Sequence, residues 1–332
     1  MIRGRLSLVL PQTNDLETSG ERIRHMISFF PASVCGVISI TLMVLNTIFW
    51  AMPFHILALT KVLSRNEAWH RVCTHITTAA GNCWIRGQNA ILRLTQPTVY
   101  EIRGLEGLSR KEWYFVNCNH QSWADILVLF RAFTGHIPFF KFFLKKELFW
   151  VPLLGISWWA LDFPFMKRYS RSFLEKNPHM RGKDMETTRK ACERYRHTPV
   201  SILNFLEGTR FTPDKHAKQG SPYRHLLKPK AGGFAFALEA MDGRISAILD
   251  VTIIYSEKGL SFWDFLCGRV ARITVIAKKL PVSVEALTGD YSNDDAFRGR
   301  LQTWVCDMWQ DKDELIEQHC TCQQGPPQGI SP

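Results

Sequence analysis

Between His25 and Lys61 the chain carries no Asp, Glu, Lys or Arg, so Met26–Thr60 is a run of 35 residues without a formal charge. No other feature constrains the fold as strongly, because a stretch this apolar has to leave water, either in a core or in lipid. The run starts too late and continues too far for a secretory signal. One spanning helix takes about 20 residues and two take about 40 plus a turn, so the run falls between the two cases. Pro31, Asn46 and Pro53 interrupt it. Arg22 and Arg24 precede it and Lys61, Arg65 and Arg71 follow it, a balance that favours both ends in the cytoplasm. The expectation is a basic segment over 1–25 and a membrane anchor over 26–66. That anchor is either a helical hairpin dipping into one leaflet or a single span followed by an interfacial helix, with the rest of the chain on the cytoplasmic face.

Beyond the anchor the hydrophobic period changes twice. Trp69–Leu94 has helical spacing and predicts a linking helix within 67–97. Then β-branched and aromatic runs predict strands at Thr98–Ile102, Trp113–Asn117, Val200–Phe205, Ile245–Tyr255 and Ala271–Leu280. Helical patterns alternate with them at Ser122–Phe133, Met185–Arg196, Gly233–Met241 and Asp294–His319, the last with Ser292 and Asp295 in capping-box spacing. The alternation predicts an α/β body over 98–319, a mixed sheet flanked by helices behind the N-terminal membrane-embedded helical segment, and a disordered tail over 320–332. Phe139–Met166 is rich in aromatic residues with lysines among them, a composition that suits a core or a headgroup interface equally.

The formal charge of +11 points to phosphate-bearing partners: nucleic acid, an anionic membrane or a phosphorylated small molecule. It is uneven, with twelve Lys or Arg against five acids from Arg131 to Lys190 and nine acids against three bases from Glu285 to Glu317. Nine cysteines without paired spacing in the body fit a reducing compartment, and Cys320 with Cys322 alone make a poor metal site. No metal is expected.

The chemistry concentrates in two stretches. In "FVNCNHQSWADILVLF" (Phe115–Phe130), His120 and Asp125 are five residues apart, which on a continuous helix places them some 140° apart. His120 therefore belongs in a loop before the helix and Asp125 in its first turn, from where the carboxylate can reach back to one ring nitrogen and leave the other for a substrate. That is a general base with its orienting acid, although Ser122 and Asp125 would also serve as a plain helix cap. In "NFLEGTRF" (Asn204–Phe211), Gly208 lets backbone approach a ligand, Arg210 offers a planar fork for phosphate, and Glu207 suits a ligand that also carries hydroxyls. "FMKRYS" adds Arg168 as a second phosphate ligand. A serine hydrolase elbow G-x-S-x-G and a zinc motif H-E-x-x-H are both absent.

Taken in order, NHxSxxD, "PFMKR", F-x-EGTR and the strand "LDVTIIY" resemble the four blocks of the glycerophospholipid acyltransferase family, the 1-acylglycerol-3-phosphate acyltransferases. "FKFFLKKELFWVPLLG" and "LLKPKAGGF" are similar to further family segments, so the resemblance runs from about Thr98 to Leu280. It implies that His120 deprotonates an acceptor hydroxyl for attack on acyl-CoA or acyl-carrier protein, with Asp125 orienting it. It also implies that Glu207, Gly208, Thr209 and Arg210, with Arg168, bind the glycerol-phosphate part of a lysophospholipid. Backbone N–H groups near Ser122 are candidates for stabilising the oxyanion. The implied partners are the lysophospholipid, the acyl thioester (including acyl carrier protein) and membrane lipids, with no nucleic acid and no cofactor beyond the thioester co-substrate. Leu206 replaces a usual Pro, and Asp250-Val251-Thr252 replaces a usual Val-Pro, departures similar to the lysocardiolipin and lysophosphatidylinositol acyltransferase branch. They bear on the acceptor, and little on the reaction.

Overall fold

β7 (Ala247–Tyr255) is buried along its whole length, as is β2 (Tyr114–Cys118), because helices cover both faces of the sheet they share. The computed structural model describes residues 30–166, 183–196, 198–241, 243–257, 259–281, 291 and 294–324. The remaining strands are β1 (Val99–Arg103), β3 (Phe140–Lys141), β6 (Ser201–Phe205) and β8 (Arg272–Pro281), with a separate pair, β4 (Leu144–Lys145) and β5 (Phe165–Met166). The six-stranded sheet has the order β1-β8-β7-β2-β6-β3. Only the β7–β8 pairing is antiparallel among these neighbours, so the sheet is mixed, as expected.

Two apolar cores lie on opposite faces. Tyr114, Val116, Leu249, Val251 and Ile253 point to the side of α1 (Ala32–Leu63), α2 (Glu67–Thr95) and α3 (Ala124–Phe133). Phe115, Ile202, Ile248 and Ile254 point to the side of α7 (Ala231–Met241) and α9 (Asp295–Gln324). This is the period-2 alternation of a strand with both faces apolar. Between β4 and β5 run a 3-10 turn (Lys146–Trp150) and α4 (Leu154–Ala160). The other helices are α5 (Lys183–Cys192), α6 (Pro213–Gln219) and α8 (Phe262–Leu266).

Among the described residues of the 26–66 segment, 30–66, the chain does not fold back on itself. From Ala32 to Leu63 it is one helix, long and apolar enough to cross a membrane, with Pro53 inside it. Asn46, which reads as an interruption, is satisfied sideways: its amide donates to Trp84 O at 3.1 Å, and Gly87 leaves the room. α2 follows after an Asn66 cap and packs along α1. The aromatic stretch 139–166 divides between the two expectations, since Phe140, Leu144, Leu161 and Phe163 are core while Trp150 and Leu153 are exposed. The expected tail boundary at 320 needs correction, because α9 continues to Gln324, there being no proline or glycine to stop it before Gly325. Asp294 accepts from Phe297 N at 2.9 Å and caps that helix, while Ser292 and the segment 1–25 lie outside the described residues.

Candidate active site

β2 ends at Cys118, and the next five residues make a loop before α3 begins at Ala124. His120 stands in that loop and Asp125 in the first helical turn, and Nδ1 of the ring lies 2.8 Å from Asp125 Oδ2. Asp125 is wholly buried. A buried carboxylate needs donors, and this one has four. Oδ2 accepts from the His120 ring, from Gln121 N at 2.7 Å and from Ser122 N at 3.0 Å, while Oδ1 accepts from the Tyr255 hydroxyl at 2.6 Å. Burial holds the Tyr255 phenol well above its ordinary range, so it stays a donor. The His120 ring stacks on Phe205, centroids 4.0 Å apart, which fixes its plane. With Nδ1 occupied, Nε2 is the nitrogen left for a reacting group.

Two further attachments hold the loop. The Asn119 amide pairs with the backbone of Ile253, donating to its O and accepting from its N, both at 2.9 Å, and Gln121 Nε2 also donates to Ile253 O. On the other side the 207–210 loop brackets His120 itself. His120 N donates to Glu207 Oε1 at 2.8 Å, and Phe211 N donates to His120 O at 2.7 Å.

That arrangement changes the role expected of Glu207. Its carboxylate has no exposure, and its second oxygen accepts from Leu227 N at 3.0 Å. Both oxygens are thus used to join three chain segments, and burial pushes the acid up to about 7. Glu207 positions the loop instead of facing a ligand. Ser122 N is corrected in the same way, since it is committed to Asp125 and is not free for an oxyanion.

Gly208, Thr209 and Arg210 do reach the surface beside His120. Gly208 adopts φ +68°, a conformation that favours glycine. Arg210 lies over the Trp123 ring, 4.8 Å from its centroid, which brings the guanidinium to the start of α3. Two lysines complete the basic rim. Lys215 Nζ donates to Thr209 Oγ1 at 2.8 Å and Arg210 O at 3.0 Å, and the Lys230 ammonium stands 3.5 Å from where a Cβ on Gly208 would be. The pattern "LLKPKAGGF" carried the signal for Lys230, and "LDVTIIY" contains Tyr255 without showing its role; nothing in the sequence marked Lys215. Arg168 lies outside the described residues.

The departures in the fourth block also have partners. Lys312 of α9, wholly buried, donates to Val251 O at 2.6 Å and Thr252 Oγ1 at 3.1 Å, and its ammonium is 2.8 Å from Asp250 Oδ1. Among the described residues no group of three or more His, Cys, Asp or Glu is placed to hold a metal ion, and no disulfide joins the described cysteines.

The model of the Acyltransferase family matches residues 99–256. The mouse 1-acyl-sn-glycerol-3-phosphate acyltransferase gamma is 28% identical over 223 residues, 63% of this chain and 54% of that protein. The 2-acyl-1-lysophosphatidylinositol acyltransferase of Saccharomyces cerevisiae is 24% identical over 240 residues, 61% of this chain and 60% of that protein. This chain spans about half the length of the curated relatives it matches. A solved structure, the 1-acyl-sn-glycerophosphate acyltransferase of Thermotoga maritima, aligns with 16% identity and a TM-score of 0.40 over 86% of this chain and 100% of that one. The Acyltransferase match falls on the segment that holds His120, Asp125 and the 207–210 loop, and over that segment the chain is similar to the glycerophospholipid acyltransferases.

Proposed function

We propose that this protein transfers a fatty acyl chain from acyl-CoA or acyl-carrier protein to the free hydroxyl of a lysophospholipid, with 1-acylglycerol-3-phosphate as first choice and phosphatidic acid as product. The observation that carries the reading is a His–Asp pair with one ring nitrogen free, set beside three cations, Arg210, Lys215 and Lys230. In the proposed step Nε2 of His120 takes the acceptor's hydroxyl proton as its oxygen attacks the thioester carbonyl carbon. The tetrahedral intermediate collapses with loss of the C–S bond, and the thiolate leaves with the proton from His120. Asp125 stabilises the imidazolium in between. Arg210 and the lysines suit the acceptor phosphate, and Arg168 is proposed to join them. A thioester already carries a good leaving group, so base and charge stabilisation suffice without metal or bound cofactor.

A second acceptor, a lysophospholipid with a larger headgroup, is favoured by Leu206 and Asp250–Thr252 standing where the family commonly has prolines. A basic non-enzymatic adaptor leaves the four donors around Asp125 without a purpose.

The site is proposed to work at a cytoplasmic membrane surface. α1 touches the catalytic body near both ends: Gly36 packs on Trp263 and Cys267 of the α8 region, and Lys61 Nζ binds Asp162 and Ala160 O. Those contacts are 25 residues apart, about 38 Å of helix axis, more than the ~30 Å hydrocarbon layer. A body on one side of the bilayer cannot touch both ends of a crossing helix, so α1 lies along one leaflet. The test is acyl transfer by membranes from oleoyl-CoA to a panel of lysophospholipids and glycerol 3-phosphate. His120→Ala should lose about 10²-fold or more; equal activity of variant and wild type would refute the general base.

A further inference from the structure

The excursion between β4 and β5 is closed at its base by the parallel register Leu144↔Phe165 and Lys145↔Met166 and by Leu144 N donating to Pro164 O at 2.9 Å. Its inner residues are core. Its tip turns the opposite way. Trp150 is 80% exposed, Leu153 49% and Ile156 40%, three large apolar side chains at the end of one structure. Leu153 takes φ +63° and ψ −44°, a conformation that side chains with a Cβ avoid. The turn around it is tight. Leu154 N donates to Pro152 O at 2.7 Å and Gly155 N to Val151 O at 2.9 Å, and a Cβ on Gly155 would sit 1.8 Å from Phe149 O. A strained turn that displays a leucine to water, when glycine would fit without strain, needs a use for that leucine.

The surroundings name the use. Lys145 and Lys146 are exposed at the root of the tip, with Glu147 beside them, so two cations face one anion. Tryptophan with flanking lysines is the composition of a headgroup boundary, where the ring sits at the interface and the ammonium groups meet phosphates. α4, which presents Ile156, packs on α1, whose outer stripe Met52, Ile56, Leu59 and Leu63 is also exposed. The two apolar surfaces are thus joined through one contact.

We propose that the 145–156 tip is a second membrane-contact element, with Trp150, Leu153 and Ile156 entering the headgroup–acyl boundary of an anionic leaflet and Lys145 and Lys146 meeting its phosphates. This rests on the reading that α1 lies along that leaflet. The consequence is a two-point attachment that fixes the tilt of the catalytic body.

The test uses the full chain in vesicles of phosphatidylcholine and phosphatidylglycerol whose acyl chains carry bromine at a shallow or a deep position. The tryptophan emission lost in Trp150→Phe is the signal of Trp150, and its exposure makes the substitution harmless to the fold. The expected result is quenching of that signal by shallow bromine more than by deep, reduced in Lys145→Glu/Lys146→Glu. Quenching by aqueous acrylamide with no effect of bromine would overturn the proposal. Sedimentation of the same samples with vesicles reports attachment through α1 separately, and neither readout depends on acyltransferase activity.

Discussion

Tyr255 reaches Asp125 because β7 alternates its side chains. Its odd-numbered residues face α3, and the last of them delivers a hydroxyl to the one carboxylate oxygen that His120 leaves over. Tyr255→Phe should therefore reduce kcat roughly 10-fold, the scale of one hydrogen bond to a charged group, with KM unchanged. A fall in KM affinity instead would place Tyr255 at the substrate. Glu207 gives a pH prediction. Its folded acid is raised to about 7 from an ordinary value near 4.5, so the folded state holds a proton that the unfolded chain has lost. Stability from this group is full below about pH 4.5 and declines as pH rises to about 7, by at most roughly 3 kcal/mol. In Glu207→Gln that slope should vanish from melting curves recorded in detergent, while in wild type it persists. His120 and Asp125 were legible in sequence because their partnership is local. Tyr255 and Lys215 were not, since distant segments meet them, and Glu207 misled because motif position does not show which way a side chain points.

Strands were readable for a related reason. β2, β6 and β7 are apolar on both faces and bounded by turn residues, whereas the two-residue strands β4 and β5 and the 3-10 turn between them carry no period long enough to detect. The one charged residue within β7, Asp250, makes sense only with α9 in view. Lys312 lies sixty residues along the chain from Thr252 and clamps that helix to the sheet behind the catalytic loop. Burial raises Asp250 while Lys312 opposes the rise, so neither side chain is comfortable alone. Lys312→Met should cost about 3–5 kcal/mol, and adding Asp250→Leu should recover most of it. Melting temperatures of the single and double variants check this, and a double variant no better than the single would refute it.

At the scale of the molecule, anchor and body form one unit. Lys61, at the end of α1, is buried against Asp162 and Thr74, and Arg194 reaches the same carboxylate from the far side of the excursion. Burial pushes Lys141, beside this cluster, down to about 8, which marks how dry the joint is. The apolar run at 26–60 called for burial in a core or in lipid, and the sequence could not tell which body residues meet Gly36 and Lys61. On the proposed function, with α1 lying along a leaflet, a base at His120 would work on a surface and not in a volume. What it samples is the mole fraction of acceptor among its neighbouring lipids, however much of that acceptor the suspension holds. Diluting the acceptor with inert phospholipid at constant bulk concentration should lower the rate in proportion, and an unchanged rate would mean that the site takes its substrate from water.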